Sequence, residues 1–271
     1  MDLKKFDSRF VVLPIAKIIQ ENEVVRTFVF KYPLGGRPGQ FLMIWIPGVD
    51  EKPMSVAYDN GEEFWVTVCK VGPATEALFA LKEGDKVGIR GPLGTWYDFG
   101  PEDHLAVVGG GYGSAPMYFV ANEALKMGAK VDFFIGARNK DLLIYTDRVE
   151  KLGASLHVAT NDGSAGFQGF ITELLDQKLS EGLAFTKVFS CGPEVMMKAV
   201  SEVADKHGVP SWMSMEKYMK CGIGVCGQCA LDDTGDLVCV KGPVMSYGYV
   251  RKLPEFGKYH RDAQGKKHYF S

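Results

Sequence analysis

No stretch of the chain approaches the roughly 18–20 consecutive apolar residues of a membrane-spanning helix, so no spanning segment is expected. The opening MDLKKFDSRF has no apolar core of the kind a secretory signal carries. Neither sign of charge is in excess. Against 33 acidic residues stand 31 Lys and Arg, a net charge of −2 that implies no basic face for nucleic acid. Internal repeats and low-complexity tracts are missing too. The six cysteines do not read as a disulfide framework. Four crowd into one short stretch, while Cys69 and Cys191 stand alone in apolar, strand-like runs, the usage of a reducing cytosol. A soluble, cytoplasmic protein is expected.

The crowded cysteines are the strongest positive signal. Cys221, Cys226, Cys229 and Cys239 lie in the run CGIGVCGQCALDDTGDLVC, with the first three spaced C-x4-C-x2-C. That is the spacing of plant-type two-iron ferredoxins, completed by a fourth cysteine. A [2Fe–2S] cluster needs four thiolates converging from a tight loop, with backbone N–H groups close to its sulfur atoms. Gly222, Gly224 and Gly227 supply the missing Cβ atoms and the positive φ that such an approach requires. Four cysteines also satisfy zinc, although structural zinc sites usually use paired short knuckles.

At 271 residues and 46% hydrophobic, the chain is long enough for about two domains. Its first hundred residues carry short apolar runs (Arg9–Lys17, Val24–Phe30, Phe41–Ile46, Glu63–Val71, Lys86–Gly91) between Gly/Pro turns. This pattern suggests an antiparallel β-barrel over 1–100, with one short helix at Thr75–Ala80. From 101 to 209, strands alternate with helices. Strands are expected at His104–Gly109, Lys130–Gly136, Ser155–Thr160 and Lys187–Cys191. The helices expected are Ala115–Met127, Asp141–Leu152, Gly169–Leu179 and Pro193–His207, so this is a parallel α/β domain. The remainder, 210–271, reads as a small cluster-binding subdomain held by its metal centre more than by a core.

Between a strand and a helix lies Val107-Val-Gly-Gly-Gly-Tyr-Gly-Ser-Ala-Pro116. Such glycines let the backbone approach a pyrophosphate at a helix N-terminus. Pro116, where a dinucleotide fingerprint has its third glycine, is compatible with a first helical turn. A glycine turn without a ligand is the plainer alternative. Pro38-Gly-Gln-Phe41 and Lys52-Pro-Met-Ser55 are, alone, turns flanking strands. Ser190-Cys-Gly-Pro193 falls at the C-terminal end of a parallel strand, the edge where α/β domains bind ligands. Cys191 is equally readable as a core residue.

Taken in order, PGQF, KPMS, VGPAT, GPLG, GGGYGSAPM, SCGP and the cysteine loop resemble the ferredoxin–NADP reductase superfamily over nearly the whole chain. The resemblance implies a flavin-binding barrel followed by a nicotinamide-nucleotide domain. Lys52, Pro53, Met54 and Ser55 would then form the first FAD segment, with Lys52 at the pyrophosphate and Ser55 near the flavin edge. Lys52 departs from the usual Arg, replacing a bidentate fork by a point charge. Gly72 and Thr75 would meet the same pyrophosphate. Gly111, Gly113 and Pro116 would contact NAD, and Cys191, Gly192 and Pro193 would lie where the nicotinamide stacks toward the flavin. Asp162 would repel a 2′-phosphate, whereas Arg138 could favour one.

Within that superfamily, the C-terminal cysteine loop and the run through Cys239-Val-Lys-Gly-Pro243 are similar to electron-transfer subunits of NAD-linked dihydroorotate dehydrogenases. The tail from Glu255 is similar to their archaeal members. This implies an FMN-containing catalytic partner, a hetero-oligomer, and a route from that FMN through [2Fe–2S] and FAD to NAD⁺ in pyrimidine biosynthesis. No side chain here is expected to act as acid, base or nucleophile. The alternatives are a related subunit of a sulfhydrogenase or transhydrogenase, a stand-alone NAD(P)H:ferredoxin reductase, and a zinc-binding regulatory module.

Overall fold

The computed structural model describes residues 9–270, so most of the N-terminal segment read for a signal core lies outside the described residues. The barrel strands are β1 (Val11–Pro14), β2 (Lys17–Gln20), β3 (Val25–Phe30), β4 (Phe41–Ile46), β5 (Asp50–Asp59), β6 (Phe64–Cys69) and β7 (Lys86–Leu93). β6 shows why they form: Phe64, Val66 and Val68 are buried while the residues between them are half-exposed, the period of a strand with one face on a core. The seven run antiparallel in the order β1-β7-β4-β5-β6-β3-β2.

β1 and β2 are consecutive yet occupy opposite edges. Between them, the Ile15 amide donates to the Asp85 carbonyl at 2.9 Å and the Ala16 amide to that of Val29 at 2.8 Å. The expected single strand over Arg9–Lys17 is therefore two, and the link laces the edges around Phe28, Phe30, Leu42, Ile44 and Val66. α1 (Pro73–Ala80) adds Ala74 and Leu78 to that core.

The second sheet contains β8 (His104–Gly110), β9 (Lys130–Ala137), β10 (Ser155–Thr160), β11 (Phe167–Gln168), β12 (Lys187–Cys191), β13 (Ser211–Ser214) and β14 (Val244–Ser246). Its order is β11-β10-β9-β8-β12-β13-β14, parallel except for β14. The chain leaves β8 toward one edge and returns to β12 on the other side. Their C-terminal ends form a topological switch point, where open α/β sheets bind ligands.

α2 (Ser114–Met127), α3 (Thr146–Leu152), α4 (Ile171–Ser180) and α5 (Glu194–Lys206) are the connecting helices. The helix expected over Asp141–Leu152 is shorter, because Tyr145 takes φ 70° and starts it late. A tertiary contact accompanies this local departure: the buried Tyr145 hydroxyl hydrogen-bonds Thr67 of the barrel at 2.9 Å.

The last segment carries short helices α6 (Val238–Lys241) and α7 (Tyr247–Val250) and a hairpin of β15 (Tyr259–Arg261) and β16 (Lys267–Tyr269). Its apolar residues enter a third core shared with both larger units, where a segment held mainly by its metal centre was expected. Met213, Met215, Met219, Leu231, Val238 and Phe256 pack with Phe41, Met43 and Leu93 of the barrel and Met197 of α5. Since β13 and β14 extend the parallel sheet, these residues lie against both larger units. Among the described residues, no helix is long and apolar enough to cross a membrane.

Candidate iron–sulfur and nucleotide site

The four clustered cysteines fall into two pairs. Backbone N–H groups of Val225 and Cys226 point at Cys221 Sγ, at 3.3 and 3.4 Å, and the Cys226 thiol donates to the same sulfur. The Cys239 amide points at Cys229 Sγ at 3.4 Å, where the Cys239 thiol also donates. Burial opposes ionisation of Cys221, but the surrounding amides overcome it and bring the thiol down to about 7. Cys229 is lowered to about 6, chiefly by the Cys239 thiol, while Cys239, as donor, is pushed up.

The loop geometry demands glycine. Gly222 and Gly224 have φ of 69° and 81°, and a Cβ at Gly224 would lie 2.7 Å from Val240 Cγ2. Among the described residues, no three His, Cys, Asp or Glu side chains form a group fit for a single metal ion. Two thiol pairs lined by backbone donors suit a cluster in which each of two irons takes two cysteines. The donor set fits such a group.

The glycine turn between β8 and α2 packs against the Cys191 loop. Gly113 has an ordinary helical φ, but a Cβ there would sit 2.3 Å from the Cys191 carbonyl oxygen and 2.7 Å from the Gly192 nitrogen. Gly110 meets Met196 and Pro193 in the same way, and Gly111 takes φ 54° facing open space. The two loops are thus brought together at the switch point by the Cys191–Gly109 register of β12 and β8. Pro116 is buried in the first turn of α2, just behind the glycines.

Around this junction, residues from three segments face one another. The Tyr112 hydroxyl lies 3.5 Å from Glu216 Oε2, at the limit of a hydrogen bond. Burial raises the Glu216 carboxyl, and the Glu216 charge in turn raises Tyr112. Burial, aided by Glu216, pushes the Cys191 thiol up to about 12, and the Ser214 hydroxyl donates to its sulfur. A thiol held so high stays neutral at physiological pH. Cys69, at the end of β6, has its thiol raised by burial.

Two barrel segments complete the surroundings. In the loop before α1, Thr75 Oγ1 accepts from the amides of Val71 and Gly72 at 2.9 and 3.0 Å and donates to the Gly72 carbonyl. The hydroxyl closes the loop ahead of α1, leaving first-turn amides as the groups available to a phosphate. Lys52 on β5 pairs with Asp50 at 2.6 Å and lies 4.9 Å from the centre of the Tyr218 ring. Pro53, Met54 and Ser55 follow on the same strand, with Ser55 opposite Phe41. Pro38-Gly-Gln-Phe41 is structural here: Gly39 takes φ 102°, and a Cβ would meet Val244 and Tyr97. Beyond β9 and β10, Arg138 and Asp162 are exposed, and the Asp162 carboxylate accepts from Ser164.

Comparison with known proteins agrees with these three groupings. Family profiles match an oxidoreductase FAD-binding domain over residues 13–97, an oxidoreductase NAD-binding domain over 107–202, and the iron–sulfur cluster binding domain of dihydroorotate dehydrogenase B over 216–251. A protein of Methanocaldococcus jannaschii described as a probable dihydroorotate dehydrogenase B (NAD(+)) electron transfer subunit is 45% identical, over 96% of this chain and 98% of its own. The chain belongs to this family of electron transfer subunits. The counterpart in Methanothermobacter thermautotrophicus is 43% identical over 94% and 96%.

Among solved structures, a chain of the NADH-dependent reduced ferredoxin-NADP oxidoreductase superposes with a TM-score of 0.80 at 33% identity, covering 87% of this chain and 88% of that one. The cytochrome b5 reductase domain of Ulva prolifera nitrate reductase, at 18% identity, TM-score 0.64 and coverage of 75% and 95%, shares the fold. The family carries FAD-binding, NAD-binding and iron–sulfur domains in the order read from the motifs.

Sequence reasoning missed residues at this junction and beside the cysteine loop. Tyr112 lay in view inside the glycine run, but its partner Glu216 belongs to a distant segment. Arg90 interrupts an apolar strand, a visible oddity, and proves to be buried with its guanidinium on Glu51 and the Cys221 carbonyl.

Proposed function

We propose that the chain is the electron-transfer subunit of an NAD-linked dihydroorotate dehydrogenase of pyrimidine biosynthesis, taking electrons from an FMN-containing catalytic subunit in a hetero-oligomer and delivering them to NAD⁺. The observation that carries this reading is near-full-length identity of 45% to a family member, in a chain whose cysteine loop packs on the barrel strands. Two electrons and two protons leave dihydroorotate. NAD⁺ receives the electrons with one proton as hydride, and the other proton is released.

When bound, the [2Fe–2S] cluster supplies one-electron transfer, FAD the exchange between one- and two-electron chemistry, and NAD⁺ the hydride acceptor. Cys221, Cys226, Cys229 and Cys239 hold the cluster. Lys52, Pro53, Met54, Ser55, Gly72 and Thr75 hold FAD, and Gly111, Gly113, Pro116, Cys191, Gly192 and Pro193 hold NAD. The neutral Cys191 thiol, oriented by Ser214, provides a polarisable wall without competing as a nucleophile. In functional terms the division is 1–100 for FAD, 101–209 for NAD and 210–271 for the cluster and tail. A cytoplasmic location is supported by the chemistry of the cysteine set, which serves as cluster ligands only in reduced form.

The purified chain, reconstituted with iron, sulfide and FAD, should oxidise NADH with a dye acceptor yet leave dihydroorotate untouched. Dihydroorotate turnover by the chain alone would contradict a pure electron-transfer role.

A further inference from the structure

Arg90, on β7, is a guanidinium with a side chain only 6% exposed. A buried cation is costly unless its donors are used. Here three of them are. Nε and Nη2 donate to Glu51 Oε1 at 3.1 and 2.6 Å, and Nη1 donates to the Cys221 carbonyl at 2.7 Å. The remaining face lies over the Phe10 ring, 5.3 Å from its centre. Arg90 and Glu51 flank β4, whose Met43 pairs with Arg90 and whose Trp45 pairs with Glu51. The residue after Cys221 is flush with the same surface: a Cβ on Gly222 would stand 3.0 Å from Met43 Cγ and 3.1 Å from Leu93 Cδ1.

Glu51 immediately precedes Lys52, which sits over the Tyr218 ring. Lys52 directly, and Glu51 through Arg90, therefore tie Tyr218 and Cys221 to the barrel side. We infer that the Arg90–Glu51 pair is a positioning clamp that fixes the first cluster cysteine against the flavin-binding strand and sets the charge balance beside the cluster. This deepens the reading of Cys221 as a cluster ligand and rests on it.

The clamp works in two ways. The planar fork holds the Cys221 carbonyl in one place, as lysine's point charge would not. The pair also contributes one positive and one negative charge next to a thiolate-ligated centre. Such a centre becomes more negative on gaining an electron, so nearby positive charge favours its reduced form. Removing either member unbalances the pair in opposite directions. Arg90→Gln leaves Glu51 uncompensated and lowers the cluster's reduction potential. Glu51→Gln leaves the guanidinium uncompensated and raises it. Arg90→Lys keeps the charge, returning the potential toward the wild-type value, while losing the fork.

The test uses the reconstituted isolated chain, with no catalytic subunit. The cluster potential is read by redox titration monitored by electron paramagnetic resonance, and iron retention by challenge with a chelator. Opposite potential shifts in Arg90→Gln and Glu51→Gln are expected, with iron retention in Arg90→Gln weakened by about 10-fold or more. If Arg90→Gln does not fold, Glu51→Gln and Arg90→Lys decide: a raised potential in the first and a near-normal one in the second support the clamp. Shifts of the same sign, or none, with an intact cluster spectrum would overturn it. A wild-type chain that takes up no cluster would overturn the underlying assignment instead.

Discussion

Gly113→Ala is the sharpest single perturbation of the junction between the glycine turn and the Cys191 loop. Gly113 has φ −63° and ψ −15°, so alanine is conformationally acceptable and any effect must come from space. The added Cβ would lie 2.3 Å from the Cys191 carbonyl oxygen, 2.5 Å from its carbon and 2.7 Å from the Gly192 nitrogen. All three are backbone atoms of a strand end in the sheet and cannot rotate aside. Restoring van der Waals contact requires the two loops to part by about 1 Å. Overpacking of this kind costs about 1–3 kcal/mol of stability, and a displacement near 1 Å at a reacting centre lowers rates by ~10²-fold.

Anaerobic stopped-flow reduction of the bound flavin by NADH measures the second quantity directly. Gly113→Ala should slow reduction by roughly 10²-fold while retaining FAD, because the barrel segments are untouched. Gly153→Ala, at the end of α3 and outside the nucleotide-binding loops, is the control: it adds left-handed strain at φ 82° but meets no atom within 4 Å, so it should leave the reduction rate near that of the wild type. Reduction of Gly113→Ala at the wild-type rate would refute the placement of nicotinamide at this junction.

Cys226→Ser should abolish the visible and paramagnetic signatures of the cluster while FAD stays bound, and loss of both together would argue against separate sites. Lys52→Ala should weaken FAD retention by about 10-fold, the scale of one charge-assisted hydrogen bond, as measured by flavin release on dilution. Asp132 is nearly buried between His157 and His104, at 2.6 and 2.7 Å; burial raises its carboxyl, but the two histidines outweigh that and hold it below its usual 3.8. A lowered carboxyl contributes stability that is present above its unfolded value and lost as pH falls through the folded one. Denaturant titration should therefore show Asp132→Asn destabilised by about 1–3 kcal/mol near neutral pH, with the gap from wild type closing below pH about 4. A gap unchanged down to pH about 3 would contradict this account of the Asp132 carboxylate.

The parts of the site that were legible in the sequence are those with local spacing. Cys221, Cys226 and Cys229 announce themselves within one loop, as do the glycines between β8 and α2, because one turn of chain supplies the whole geometry. What was not legible comes from contacts between remote segments. Arg90 meets Glu51 across 39 residues and the Cys221 carbonyl across 131, and Tyr112 meets Glu216 across 104. The methionine-rich third core escaped notice for the same reason, since Met43 and Leu93 join Met213 and Met219 only after the barrel and sheet are docked. Tyr145 is the reverse case. Helical periodicity ran through it, and a left-handed residue whose hydroxyl meets the barrel starts the helix late.

Electron-transfer function is tested most directly by anaerobic, dihydroorotate-dependent reduction of NAD⁺, followed as NADH absorbance, with the FMN-containing catalytic subunit present and absent. NADH should form only when both subunits are present, and should be lost with Cys226→Ser while dye reduction by NADH persists. No NADH from the mixture, with intact flavin and cluster spectra in this chain, would contradict the assignment of the catalytic partner.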